Sequence, residues 1–208
     1  MIQYPMMSPD GSTIVFARSV NHRAYSMGGH TWDQWEIFAI QVDGTHLRRL
    51  TSGAYSAISP PRYSPDGKVV VYSAYPRVFP GMPVTDIYTV AADGSSAPSK
   101  ITTDGHSMSP VYTPNGSEIL FISDAKKPFN YELWTMSPQG TRRRQITSTG
   151  WYNVNARPSA DGKRALFLAD QDREGRYELW EVRLTGGKPH RIAGSVLFSK
   201  PGSWRPGR

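Results

Sequence analysis

The sequence predicts an all-β fold, a β-propeller of four four-stranded antiparallel blades plus the start of a fifth. Three observations carry this. First, a turn is written four times: Ser8-Pro9-Asp10-Gly11, Ser64-Pro65-Asp66-Gly67, Thr113-Pro114-Asn115-Gly116 and Ser159-Ala160-Asp161-Gly162. Second, an aromatic stands five residues after each turn glycine (Phe16, Tyr72, Phe121, Phe167), and a second aromatic follows a variable insert (Phe38, Tyr88, Trp134, Trp180). Third, each unit closes alike. A glycine lies six residues beyond the second aromatic (Gly44, Gly94, Gly140, Gly186), and an aliphatic follows (Leu50, Ile101, Ile146, Ile192). Successive turn glycines are 56, 49 and 46 residues apart, a period that suits propeller blades.

The second unit shows why each element forms. In Ser64-Pro65-Asp66-Gly67, proline presets φ, Asp bonds the local backbone and Gly accepts positive φ, giving a tight hairpin turn. Lys68-Val69-Val70-Val71-Tyr72-Ser73 is β-branched and aromatic, as a buried strand requires. After the insert, Asp86-Ile87-Tyr88-Thr89-Val90 alternates, Asp93-Gly94 turns the chain, and a last strand ends at Ile101-Thr102. Each unit therefore has strand A before the first turn, B after it, then C and D. A lone blade cannot cover both of its faces, so blades stack and the B and C aromatics are expected in the core between them.

The chain reads as one domain over 1–208. Its blades lie at about 2–52, 60–103, 109–148 and 155–194, with 195–208 a partial fifth that stops at a degenerate turn. The leftover strand suggests an arc of a larger propeller. The 208 residues, 38% of them hydrophobic, with 19 Gly and 17 Pro, suit a turn-rich β-domain rather than a disordered chain. No apolar run approaches the ~18 residues of a membrane span. The first residues run straight into the first repeat, so no signal peptide is read in this chain. The absence of cysteine excludes disulfides and thiol chemistry. The net charge of +7 is lopsided: residues 1–140 carry 10 Lys/Arg against 11 Asp/Glu, and 141–208 carry 14 against 6. The excess, including Arg142-Arg143-Arg144, is read as a solvated strand edge; no nucleic-acid motif accompanies it.

The repeat resembles the WD40-like repeat of TolB-type propellers: an aromatic, Ser-Pro-Asp-Gly, a strand ending in Phe or Tyr, then Ile-Tyr-x-Val/Met, Asp-Gly and Leu-Thr. Tyr63 through Thr102 and Tyr112 through Thr147 follow it closely. The fourth unit departs, with Pro158 leading, Ala160 for proline and Gly186-Gly187 for Asp-Gly. The resemblance implies a propeller used for protein–protein contact, commonly in the periplasm or otherwise outside the cytoplasm. Similar repeats also form the propeller that screens the hydrolase domain of prolyl-oligopeptidase-type enzymes.

Strand order puts the tight A–B and C–D turns on one face, and the B–C and D–A connections on the other. The B–C inserts are Arg18–Gln34, Ala74–Thr85, Asp124–Asn130 and Asp170–Arg176, and long loops on a rigid scaffold are where binding resides. Candidate partner-binding residues there are Tyr25, His30 and Trp32 in the first insert, and Tyr55, His106, Trp151 and Tyr152 in the D–A segments beside the expected axial channel. The plain alternatives are that Trp32 and Trp35 pack the insert onto its own blade and that Trp151 covers the channel mouth. His30 and His106 sit in no metal-spacing motif, and no cofactor is expected. Asp10, Asp66 and Asp161 are explained by their turns. Asp170 and Asp172 are paired carboxylates in a charged loop with Arg173 and Arg176, expected to be solvated. No nucleophile elbow, zinc-protease helix or phosphate loop occurs. The residues therefore favour a non-enzymatic scaffold for a protein or peptide. The alternatives are the propeller portion of a serine peptidase and, more weakly, carbohydrate binding through Trp32, Trp151 and Tyr152.

Overall fold

The computed structural model describes residues 1–27, 30–75 and 84–194, with side chains described outside 23–32. Among these residues the chain is all β, with no helix, and its strands form four antiparallel sheets in sequence order. The first comprises β1 (Ile2–Met7), β2 (Thr13–Met27), β3 (His30–Gln41) and β4 (Arg48–Arg49). The second comprises β5 (Ala57–Ile58), β6 (Arg62–Tyr63), β7 (Val69–Tyr75), β8 (Asp86–Ala91) and β9 (Ser99–Lys100). The third comprises β10 (Ser107–Tyr112), β11 (Ile119–Ser123), β12 (Glu132–Met136) and β13 (Arg144–Gln145). The fourth comprises β14 (Tyr152–Pro158), β15 (Arg164–Asp170), β16 (Tyr177–Arg183) and β17 (His190–Ala193). The expected fifth-blade start at 195–208 lies outside the described residues.

The repeated turns form as their residues dictate. Ser8 Oγ and Ser64 Oγ each donate to the turn aspartate (Asp10, Asp66) at 2.5 Å, and Ser159 Oγ does the same to Asp161. These bonds, with those from Ser12, hold the Asp10 carboxyl down at about 2, which is turn chemistry rather than an acid site. Each turn also touches the next. Pro9, Pro65 and Pro114 lie against Gly67, Gly116 and Gly162, where an added Cβ would stand 3.5–3.6 Å from the proline ring. Ala160 replaces this proline in the last unit.

Strand A carries a feature the repeat pattern did not predict. Its register slips in the first, third and fourth sheets, and one residue in each slip has a left-handed backbone: Tyr4 (φ 56°), Ser109 (φ 54°) and Asn155 (φ 55°). Each lies seven residues before its turn glycine; in the second unit that place is Pro60. Proline's ring holds φ near −65°, so a left-handed bulge is denied. The strand breaks instead into β5 and β6.

The core lies between sheets. Successive residues of a strand face opposite sides, so one strand feeds two clusters. On β11, Ile119 and Phe121 pack with Val71 and Ile87 of the second sheet, while Leu120 and Ile122 pack with Ala165, Phe167 and Ala169 of the fourth. Val15, Ala17 and Ile37 meet Val70, Tyr72 and Ala74 between the first two sheets. The B aromatics Phe16, Tyr72, Phe121 and Phe167 are buried as expected. The C aromatics Phe38, Tyr88, Trp134 and Trp180 are only half-buried, a correction to their expected core placement. They flank the core and stack on their B partners, as Phe16 on Phe38 and Tyr72 on Tyr88. On β15, by contrast, Arg164 and Leu166 are exposed while Ala165 and Phe167 are buried, so among the described residues this sheet is covered on one side.

Arginines cross-link neighbouring blades. Arg48 Nη2 donates to Ala92 O at 2.9 Å and Arg144 Nη1 to Leu184 O at 2.8 Å, each reaching the C–D turn of the next blade. Arg143 pairs with Asp104 at 2.5 Å. Two of the three basic residues at 142–144, expected to be solvated, are thus structural. Gly140 shows how closely these turns approach: at φ 81°, an added Cβ would fall 2.1 Å from Ile101 O of the preceding blade.

Because Phe121 is fully buried between two sheets, Phe121→Ala is expected to cost about 3–5 kcal/mol in urea unfolding. Leu166→Ala, on the uncovered side of the fourth sheet, should cost a small fraction of that.

Candidate functional site

The B–C/D–A face is built on a latch repeated three times. Two residues before each C aromatic stands a buried acid: Glu36, Asp86 and Glu132. One residue after each closing aliphatic stands a buried threonine: Thr51, Thr102 and Thr147. The threonine hydroxyl accepts from the strand-C backbone at Ile37, Ile87 and Leu133, each at 2.9 Å. It donates to the acid: Thr51 to Glu36, Thr102 to Asp86 at 3.0 Å and Thr147 to Glu132 at 2.5 Å. The acid also accepts from the backbone of the D–A connection: Ala54 N at 2.6 Å on Glu36, Gly105 N at 3.1 Å on Asp86, and Thr149 N and Gly150 N at 2.7 Å on Glu132. Ala54, Gly105 and Gly150 all have left-handed backbones, a shape the acid holds in place even at a non-glycine residue. Arg49 and Lys100 complete the charge balance at 2.9 and 2.7 Å. These acids were missed from sequence, although their constant offset from the C aromatic was a readable signal.

Beside these latches, acids at the ends of strand B meet tyrosines at or next to strand ends. Asp124 and Asp170 stand three residues after Phe121 and Phe167 and are 6% and 4% exposed. Asp124 takes Phe129 N at 2.8 Å and faces His106 Nδ1 at 2.9 Å. Asp170 Oδ2 takes Gly175 N at 2.7 Å, while its buried Oδ1 meets no hydrogen-bond donor. Burial, with the Asp172 carboxylate beside it, pushes the Asp170 carboxyl above the ordinary range. The expectation that this pair is solvated is therefore corrected for Asp170. Asp172 is the outer member, held low by Arg176.

Tyr75, Tyr131, Tyr152 and Tyr177 are half-buried around these acids. The Tyr131 and Tyr152 rings meet edge to face, centroids 4.9 Å apart. Burial first, then the nearby Asp124, pushes the Tyr131 hydroxyl up to about 12. Burial raises Tyr152 and Tyr177 as well. Tyr75, Asp124 and Asp170 add to the effect on Tyr152, and Tyr152 and Asp170 to that on Tyr177. The cluster is thus an aromatic surface beside two buried carboxyl groups.

The sequence candidates divide. Tyr152 and His106 lie in this cluster. Trp151, the preceding residue, points the other way and packs on Trp180 at 4.7 Å, in a groove of about 740 Å³ between the third and fourth blades that Lys126, Thr149 and Lys188 also line. Tyr55 is 4% exposed, with its hydroxyl 3.1 Å from that of Tyr72, and serves the core between the first two blades. Tyr25, His30 and Trp32 have side chains outside the described residues. Their backbone corrects the expected loop: β2 and β3 extend as a ribbon, pairing Tyr25 with Trp32 and Met27 with His30. Trp35 is half-buried against the core cluster between the first two sheets.

A family model described as the TolB beta propeller domain matches residues 20–206. This chain belongs to the TolB β-propeller family. Among solved structures it is similar to TolB from Acinetobacter baumannii (18% identity, TM-score 0.68, covering 93% of this chain and 44% of that one). It is equally similar to an oligogalacturonate lyase in complex with manganese (16%, TM-score 0.68, 91% and 52%). A puromycin hydrolase also matches (16%, TM-score 0.65, 94% and 29%). The chain thus spans about half or less of these proteins, and the likeness is one of fold. No curated protein matches this TolB-family sequence.

Two variants test the latch and the cluster. Thr147→Val strips a buried donor from Glu132 and an acceptor from Leu133 N, at an expected cost of about 1–3 kcal/mol by urea unfolding. Asp170→Asn should stabilise. An acid raised on folding is fully tolerated below its unfolded value of about 3.9 and destabilises as pH rises through its folded value. The variant's gain in melting temperature should therefore be present at pH 7 and vanish below about pH 4.

Proposed function

We propose that this TolB-family chain is a non-enzymatic binding scaffold that holds a protein or peptide segment on its B–C/D–A face, in the periplasm or another extracytoplasmic compartment. The observation that carries the reading is the half-buried tyrosine cluster of Tyr75, Tyr131, Tyr152 and Tyr177, drawn from three consecutive blades. Tyrosine gives large rigid contact area with a polar tip, and rings fixed on a latched backbone lose little entropy on binding. The ionisable groups beside the rings are engaged in holding backbone: Asp124 and Asp170 each accept a loop N–H. Among the described residues no helix is long and apolar enough to cross a membrane.

A second reading, the propeller part of a serine peptidase, is favoured by the likeness to puromycin hydrolase, of which this chain covers 29%. A hydrolase segment in the same reading frame would decide for it.

The scaffold reading is tested by selecting a displayed random-peptide library on the immobilised chain. A peptide consensus is expected whose binding falls about tenfold or more in Tyr131→Ala and Tyr152→Ala. A consensus that binds both variants like wild type, or no consensus at all, would overturn it.

A further inference from the structure

The tyrosine cluster has an electrostatic character that the scaffold reading leaves unused. Its two acids come from equivalent positions of adjacent blades, and Asp170 stands between the half-buried Tyr152 and Tyr177 as their partner on the neighbouring strands. Asp124 has His106 beside it. The basic residues of the Asp170 loop are committed elsewhere: Arg176 binds Asp172 and Glu174, and Arg173 donates to Asn130. Asp170 Oδ1 is left in the interior without a donor. A buried carboxylate in that state is costly unless a cation offsets it.

Resting on the scaffold reading, we infer that the face recognises an organic ammonium group, seated against the rings of Tyr131, Tyr152, Tyr177 and Tyr75 beside the carboxylates of Asp124 and Asp170. Aromatic faces attract cations through their quadrupoles, more strongly where water is excluded, and aromatic cages are a recurring solution for alkylated amines. The carboxylates add a field that a neutral ligand cannot use. An organic cation fits better than a metal ion. Among the described residues, no three acid or histidine side chains converge as metal ligands, whereas rings are what the cluster offers. The ammonium can be a free amine or a lysine side chain of a peptide; the chemistry of the seat is the same.

The test is an NMR titration of the whole chain, following tyrosine ring resonances, with n-butylammonium against its neutral isostere n-butanol. A lysine-centred pentapeptide is titrated in parallel against the same peptide acetylated on the lysine side chain. Saturable shifts are expected with n-butylammonium and not with n-butanol, and affinity about tenfold weaker in Asp170→Asn and in Tyr152→Ala. Glu181→Gln, whose partner is Arg164 on the uncovered side of the fourth sheet, should bind as wild type. Tighter binding of the lysine peptide than of n-butylammonium identifies the group as a lysine side chain, and equal binding identifies a free amine. Equal responses to n-butylammonium and n-butanol would overturn the inference, as would unweakened binding by Asp170→Asn. Asp170→Asn keeps the shape of the carboxyl and removes its charge cost, so loss of fold does not stand between the variant and its result. Selected peptides without any ammonium preference would remove this inference alone and leave the scaffold reading standing.

Discussion

The face of this propeller depends on burying a carboxylate under each connection between blades. An ionised carboxylate in the interior is tolerable only when its oxygens are fully bonded, and then it becomes a strong geometric constraint. Glu36, Asp86 and Glu132 meet that requirement with a threonine hydroxyl from strand D and backbone N–H groups from the D–A connection. The same threonines also hold the strand-C backbone. Each acid thereby ties together the start of one strand, the end of another and the path into the next blade. The position of every residue on that face, Tyr152 and His106 included, follows from where those connections are pinned.

The fold was legible because it is written in turn residues and repeated aromatics, whose effects are local and recur four times. What escaped was set by partners distant in sequence. Asp170, in Asp170-Gln171-Asp172-Arg173-Glu174, reads as part of a solvated loop; its burial comes from packing beside Tyr152 and Tyr177, which its own neighbours do not reveal. Trp151 and Tyr152 look like one aromatic patch in the sequence, yet strand alternation sends one into the groove between blades and the other to the tyrosine cluster. The split of strand A at Pro60 was decidable in principle from proline's fixed φ. It required knowing that the equivalent residues Tyr4, Ser109 and Asn155 adopt a left-handed bulge.

The two kinds of buried acid divide the labour of the face. Those under the connections are satisfied and serve rigidity. Asp170 keeps one oxygen without a donor, a cost the fold bears locally. Unsatisfied groups of this kind concentrate where a protein meets something else, because stability given up at one point is available as affinity there. The tyrosines give that point its shape, and the neighbouring latches keep the shape constant.

The last blade is built on different terms. Where the earlier units place Thr51, Thr102 and Thr147, it has Ala193, and the equivalent acid, Glu178, pairs with Arg191 at the surface instead. Where they place Pro9, Pro65 and Pro114, it has Ala160. In an array whose units are stabilised by their neighbours, a unit without these ties is held less firmly than the others described. The Asp170 and Tyr177 side of the cluster therefore rests on the blade with the fewest such ties, and the Tyr75 side on a blade whose connection is latched by Asp86 and Thr102.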